Sequence, residues 1–315
     1  MLRLLFIRLA GAIPVLLLVS VVSFGLMRLI PGDPSAAIAG LSATPQMVAQ
    51  IREQLGLDQP LLQQALHWYG GLLHGDLGRS ILLGQSVFGA TMQRLPITIG
   101  LSLYALIITL VVGVGAGVLA ALRQNSWVDQ AAMMVAMLGI SVPNFFLGLL
   151  FIIWFGVQLG WLPTGGYIPF SESPWGWFRT STLPAVSLAM LNIGLLARVT
   201  RSTMLEVLRQ DYVRTARAKG LPRHLVIGKH ALANAMIPIT TVVGIIISLL
   251  ISGSVVTETL FSIPGIGQLL TSAVLGRDYP MVQGGLLLVT AMLVMINLGI
   301  DMLYAILDPR IRYEG

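Results

Sequence analysis

The chain reads as an all-α integral membrane protein, with six transmembrane helices and a cytoplasmic helix–turn–helix loop between the fourth and fifth. Three observations predict that class. First, only 10% of its 315 residues are charged and 56% are hydrophobic, against about 25% charged in ordinary soluble domains. A water-facing surface would go uncovered, so a lipid-facing one is expected. Second, six apolar runs reach the roughly 20 residues that a bilayer-crossing helix needs, at about 8–30, 97–121, 132–156, 183–203, 236–257 and 283–306. Third, Lys and Arg divide unevenly between alternate loops. The 34 glycines and 16 prolines suit helices that pack closely and whose freed backbone groups are satisfied by neighbours.

The first run follows Arg3 and Arg8 and precedes Ala37-Ile38-Ala39, which loosely resembles a signal peptide with its cleavage site. Its apolar stretch is longer than the roughly 7–15 residues of a signal h-region, so a retained helix is expected. All six runs are nearly free of charge inside, where Asp, Lys or Arg would cost about 2.5–3.5 kcal/mol at the bilayer centre. Arg28, Arg198, Arg201 and Asp301 sit near run ends, within reach of the interface. With the N-terminus inside, only Arg28, Arg52, Arg79, Arg94, Arg179 and Arg277 fall outside, leaving 13 of the 19 basic residues within. The positive-inside rule therefore puts both termini in the cytoplasm. The net charge of +6 follows from topology and calls for no nucleic-acid partner.

Two segments between runs are long enough to carry structure. The outer one, 31–96, reads as two short helices. Thr44-Pro45 supplies an N-cap with proline at the first helical position, and Gly56 a stop. Pro60 opens the second, with Leu62, Leu66, Tyr69 and Leu73 along one face. Both are amphipathic enough to lie on the membrane or cover the spans. The inner one, 204–235, predicts a helix from Asp211 stopped by Gly220, a turn at Leu221-Pro222, and a second helix from Arg223 to Asn234. Ala216, Ala218 and Gly220 at the corner would let another backbone approach. The surrounding basic side chains suit an acidic rim or anionic lipid heads. On pattern alone an ordinary basic loop and a docking element both fit.

Chemistry-bearing residues are scarce. There is no cysteine, and His67, His74, His224 and His230 all lie outside the apolar runs. No Gly-x-x-x-x-Gly-Lys-[Ser/Thr] loop is present to cradle nucleotide phosphates. An intramembrane hydrolase would need paired aspartates, a His-Glu-x-x-His helix or a serine with its base, and Asp301 has no acidic companion in another run. Asn192 and Asn297 suit interhelical hydrogen bonds, and Asp301 suits a basic neighbour near the inner face. Pro31-Gly32-Asp33-Pro34 reads as a helix terminator. The Pro/Gly-broken stretch from Thr257 to Gly267 reads as a turn or re-entrant hairpin, and irregular backbone at membrane depth needs protein burial or a cavity. Thr257, Glu258, Phe261, Pro264 and Gly265 are therefore a candidate external gate.

The stretch from Asp211 to Pro238, DYVRTARAKGLPRHLVIGKHALANAMIP, resembles the cytoplasmic coupling loop of ABC-importer permeases, in the version found in dipeptide and oligopeptide permease subunits. Pro31-Gly-Asp-Pro34, Gly75-Asp-Leu-Gly-Arg-Ser80, Glu258-Thr-Leu-Phe-Ser-Ile-Pro-Gly-Ile-Gly267, Arg277-Asp-Tyr-Pro-Met-Val-Gln-Gly284 and Asp308-Pro-Arg-Ile-Arg312 carry the same resemblance along nearly the whole chain, and their order is more specific than any one of them. One departure is visible: the broader importer pattern opens Glu-Ala-Ala where this chain has Arg214-Thr215-Ala216, so a salt bridge made by that glutamate is not expected here.

The resemblance implies a single permease domain over 1–315 in the cytoplasmic (inner) membrane, with a second, similar permease subunit, two ATP-binding subunits and an extracytoplasmic solute-binding protein as partners. It implies that this chain is not itself an enzyme and binds no cofactor or metal, with ATP and magnesium used by the partner subunits. It also implies contact with an ATP-binding subunit through Tyr212, Arg214, Thr215, Ala216, Arg217, Ala218, Lys219, Gly220, Leu221 and His230. Short peptides or similar small solutes are the expected cargo, since permeases of this type resemble one another across systems for dipeptides, longer peptides, glutathione and nickel complexes. The competing class is an ion-coupled secondary transporter or channel subunit. That class usually keeps ionisable residues along a central path and often shows inverted repeats, neither of which is evident; a purely structural membrane subunit is the blandest alternative.

Overall fold

The computed structural model describes residues 2–29, 33–39, 43–54 and 56–307. Among them regular structure is entirely helical, apart from one isolated bridge between Arg79 and Ser86. The helices are α1 (Leu2–Leu29), α2 (Pro34–Ala39), α3 (Pro45–Gln54), α4 (Leu61–Leu73), α5 (Val87–Leu122), α6 (Trp127–Ser141), α7 (Asn144–Gln158), α8 (Pro174–Leu208), α9 (Asp211–Ala218), α10 (Arg223–Leu260), α11 (Ile266–Leu275) and α12 (Tyr279–Leu307). Parts of α1, α5, α8, α10 and α12 are long and apolar enough to cross a membrane, and the pair α6–α7 makes a sixth span if the two count as one.

That pair occupies the third span expected over 132–156, and it is bent. Its halves meet at 105°. Each has 15 residues, about 22 Å of helix, which is short of a hydrocarbon core of about 30 Å. Pro143 is the cause. It has no N–H to donate and pushes the preceding residue out of the helical region, and Val142 is extended (φ −96°, ψ 126°). The helix that carries the fifth run extends well beyond it. The predicted helix 223–234 and the run 236–257 form one continuous 38-residue helix, α10, which takes in His224 and His230. Three helices widen into π-helical turns, at Leu110–Val114, Ile152–Gln158 and Val226–Leu232, each around one glycine (Gly113, Gly156, Gly228).

The chain clusters into two compact units, 1–96 with 265–298, and 97–264 with 299–315. In the first, α4 packs on α1 through rings: Phe24 stacks on Trp68 (5.7 Å) and approaches Tyr69 (6.3 Å). The expected face of α4 is divided: Tyr69 meets α1, whereas Leu62, Leu66 and Leu73 are strongly exposed, as suits a helix lying on a membrane surface. The two glycine-rich motifs of this unit come together. Asp278, buried, accepts from the Ser80 hydroxyl (2.5 Å) and from the amides of Leu82 (3.1 Å) and Met281 (3.2 Å). Asp33 of the partly described Pro31–Pro34 motif accepts from Ser35 and from Arg52 (2.7 Å), tying α2 to α3. The Asp308–Arg312 motif lies outside the described residues.

In the second unit α8 is the axis, with 56% of its span buried against 28–33% for its neighbours α5 and α10. Small residues let it approach them. A Cβ on Gly117 of α5 would strike Thr200, and one on Gly194 of α8 would strike the Ala136 carbonyl of α6. Such close approach is how helices associate where lipid supplies no hydrophobic drive. At one end of this bundle Arg201 of α8 forms a two-pronged pair with Asp129 of α6 (2.5 and 2.6 Å). Asn192 departs from expectation: its Nδ2 donates to Leu188 O one turn back on its own helix (3.2 Å), and its Oδ1 has no protein partner.

Candidate functional sites

The elbow is α9, the turn Lys219–Pro222 and the start of α10. Only Arg209 and Gln210 separate it from α8. Its corner is built as the glycine stop predicts. Gly220 has φ +77°, a conformation a Cβ disfavours, and its amide donates to Arg217 O (3.0 Å) while that of Leu221 donates to Ala216 O (3.3 Å). Pro222 then opens α10.

The elbow has two faces. Val213, Ala216 and Val226 form a small closed cluster with Val207 and Leu208. Tyr212, Arg214, Thr215, Arg217, Ala218, Lys219, Gly220 and Leu221 are exposed, and His230 is half-buried. Among the contact residues expected from sequence, Ala216 is therefore the exception, because its side chain faces its own chain. The i, i+3 spacing of Val213 and Ala216 carried that signal. The Arg214–Asp211 pair at 3.6 Å is almost fully solvated.

The stretch from Thr257 is a capped helix end. Ile263 N donates to Glu258 O (2.8 Å) and Ser262 N to Thr259 O (3.4 Å), with Ser262 at φ +54°. These are the two bonds of a Schellman cap, and Pro264 follows in the position where a helix cannot resume. Gly265 then opens α11. Thr257 and Glu258 are buried inside the last turn of α10, and Phe261 is 1% exposed.

Glu258 accepts from the Thr98 hydroxyl of α5 (2.7 Å). Phe261 O accepts from Gly166 N (2.9 Å), and a Cβ on Gly165 would lie 2.8 Å from that same oxygen. Gly148 of α7 similarly gives room to the side chains of Leu260 and Phe261. Sequence reading named Thr257, Glu258 and Phe261 but missed Thr98, Gly148 and Gly165. Their only local signals were a hydroxyl in an apolar run and glycines at a helix face and a turn. No group of acidic and histidine side chains suited to a metal ion occurs among the described residues.

Comparison with known proteins agrees along the whole chain. The family described as binding-protein-dependent transport system inner membrane component matches residues 113–313, and its N-terminal companion matches 1–102. A Brucella abortus permease protein assigned to peptide transport is 52% identical over 98% of both chains. A dipeptide transport system permease of Alkalihalophilus pseudofirmus is 40% identical, covering 97% of this chain and 98% of its own. A glutathione transport system permease of Escherichia coli O6:H1 is 41% identical over 98% of both. In fold, a chain of the inward-facing MetNI methionine ABC transporter superposes on 70% of this chain and 97% of its own, with TM-score 0.59 at 16% identity. The chain thus belongs to the binding-protein-dependent transport system inner membrane components, the permease subunits of ABC importers.

Proposed function

We propose that this permease carries short peptides, and that its elbow is where ATP hydrolysis in separate subunits becomes movement of the spans. One observation carries the coupling role: a short basic helix and a glycine corner, almost wholly exposed, stand on a seat of three small apolar side chains. Exposed polar surface on a seated element suits docking by another protein. In this reading Tyr212, Arg214, Thr215, Arg217, Ala218, Lys219, Gly220, Leu221 and His230 meet an ATP-binding subunit, and Ala216 holds the elbow in place. ATP and magnesium belong to two such subunits. A second permease completes the pathway, and a solute-binding protein delivers cargo on the outer side, with both termini of this chain cytoplasmic. Both compact units serve one transmembrane permease domain over 1–315. The relatives' names support peptides as cargo.

Alternating access then follows from differential affinity: ATP-bound subunits favour one orientation of the spans and nucleotide-free subunits the other. Thr257, Glu258, Phe261, Pro264 and Gly265 are the external gate of this cycle. The burial of Thr257, Glu258 and Phe261 supports a firm stop about which the gate works. The test is mild-detergent purification of the tagged chain from its native membrane, with ATPase assay and peptide uptake in proteoliposomes. Wild type brings down a second permease and ATP-binding subunits. Ala218→Trp, which fills the exposed corner without touching the seat, lowers their recovery and uncouples hydrolysis from uptake. Uptake without ATP, or normal coupling in Ala218→Trp, would overturn the reading.

A further inference from the structure

We infer that α4 is immersed in one leaflet of the membrane, deeper than a helix resting on its surface, with its leucine face against lipid acyl chains. The depth is read along α1, the span it packs on. Arg8 and Arg28 of α1 enclose positions 9–27, 19 residues without a charge. That is about 28 Å of helix, close to the hydrocarbon thickness of about 30 Å. The match leaves the span little freedom to slide, because moving it either way draws an arginine into the hydrocarbon. Ser20 and Phe24 lie eight and four residues inside Arg28, about 12 and 6 Å of helix. Phe24 meets the rings of Trp68 and Tyr69, and the Tyr69 hydroxyl is 3.3 Å from that of Ser20. This part of α4 therefore stands below the level of Arg28, among the acyl chains.

The composition of α4 fits that depth. Its 13 residues include no Asp, Glu, Lys or Arg, whereas its neighbour α3 carries Arg52 and Glu53 and pairs with Asp33. Leu62, Leu66 and Leu73 share one face and are strongly exposed, while Gln63 and His67, four residues apart, share another. In water such leucines would form an uncovered apolar patch. In an interfacial helix they point into the leaflet and the polar face turns to the headgroups. Leu66 and Leu73 flank Tyr69 on either side, so a tilt of α4 that raises one lowers the other. Lipid is favoured over protein as their cover by the neighbouring surface. Leu17 and Val21, beside Ser20 and Phe24 on α1, are exposed too, and only 17% of that span is buried. The leucines thus extend a surface that a span already presents to its surroundings. The leaflet is the one at the C-terminal end of α1, the outer one given the cytoplasmic termini proposed above. The depth depends neither on that orientation nor on cargo or coupling.

The chain has no cysteine, so single spin labels report depth in the full chain. It is purified with the subunits that accompany it and returned to vesicles of phosphatidylethanolamine and phosphatidylglycerol. Power saturation by oxygen, which concentrates in hydrocarbon, is compared with that by a water-soluble nickel chelate. Labels on Leu66→Cys and Leu73→Cys read about 5–10 Å below the headgroup boundary. Labels on His67→Cys, and on Gln50→Cys of α3, read at or above it. Leu62→Cys supplies a second label on the leucine face if Leu66→Cys fails to assemble.

Nickel accessibility at Leu66 and Leu73 equal to that at Gln50 would put α4 in water and overturn the inference. Exclusion of both oxygen and nickel from the leucine positions would overturn it as well, since a protein subunit would then cover them. Failure of the coupling or of the peptide cargo proposed above leaves these depth readouts standing.

Discussion

The elbow and the turn after α10 are both short breaks between helices, both contain a residue at positive φ, and both belong to motifs that resemble the same family, yet they are built in opposite ways. The elbow keeps only Val213, Ala216 and Val226 inside and leaves its charges in solvent. The turn buries a whole phenyl ring, a carboxylate and a hydroxyl, and braces them on α5, α7 and the loop at Gly165–Gly166. A surface meant to be met by another molecule has its binding groups unspent. A fixed point has them all engaged within its own chain. The difference can be measured as the ratio of stability lost to function lost on mutation, which is high at the turn and low at the elbow.

The largest effect belongs to Phe261. Its ring is 1% exposed and sits where Gly148 makes room for it. Phe261→Ala leaves a cavity that the surrounding helices fill only in part, costing about 3–5 kcal/mol, read as a fall in thermal unfolding temperature of the solubilised protein. A variant with wild-type stability would show the turn to be loosely packed and erase the contrast with the elbow.

Glu258 comes next. Glu258→Ala removes the acceptor of the Thr98 hydroxyl at a site with no exposure, a loss of about 1–3 kcal/mol. Glu258→Gln keeps a carbonyl oxygen there and recovers much of it. If alanine and glutamine behave alike in the same unfolding assay, the hydrogen bond is not what holds the two helices.

These two residues also mark the limit of what sequence reading reaches. Apolar length disclosed five long apolar helices and the bent pair α6–α7, and Gly56, Gly220 and Pro222 disclosed helix ends, because each acts on its immediate neighbours. The bend at Pro143 is equally local, but the apolar run continues through it and masks it. The contacts Thr98–Glu258, Arg201–Asp129 and Ser80–Asp278 join residues 160, 72 and 198 positions apart. Nothing near either partner announces the other, since the pairing exists only once the helices pack. Even at the elbow, the i, i+3 spacing of Val213 and Ala216 marks a shared face, but that this face meets Val226 and Leu208 emerges only once α9 is packed.

Asp33 stands between the two extremes and is best tested by pH. Burial pushes its carboxyl up, but the Ser35 hydroxyl and amide and the Arg52 guanidinium more than offset this and hold it below its ordinary value of 3.8. A carboxylate with a depressed folded-state pKa contributes stability that is present above the unfolded value and is lost as pH falls through the folded one. The link between α2 and α3 is thus intact at neutral pH and opens only in strong acid. The chain has no cysteine, so spin labels on Ala36→Cys and Gln50→Cys report that link alone. Their distance distribution stays narrow down to about pH 4 and broadens below it, whereas Asp33→Asn is broad throughout. A narrow distribution in the asparagine variant at neutral pH would mean that the link is held by something else.

The smallest stability effect, and the sharpest test of the contrast, is at Arg214. Its pair with Asp211 is 3.6 Å long with side chains 75% and 96% exposed, and such pairs contribute little because water already solvates both charges and holding them together costs side-chain freedom. Arg214→Ala should therefore move the unfolding temperature by less than about 1 °C. If the elbow is a docking surface, the same variant still weakens recovery of the ATP-binding subunits, because the charge was held for a partner and not for the fold. Loss of stability without loss of recovery would invert the assignment and make the elbow a structural brace like the turn. Loss of neither would confine docking to the other exposed residues of the elbow.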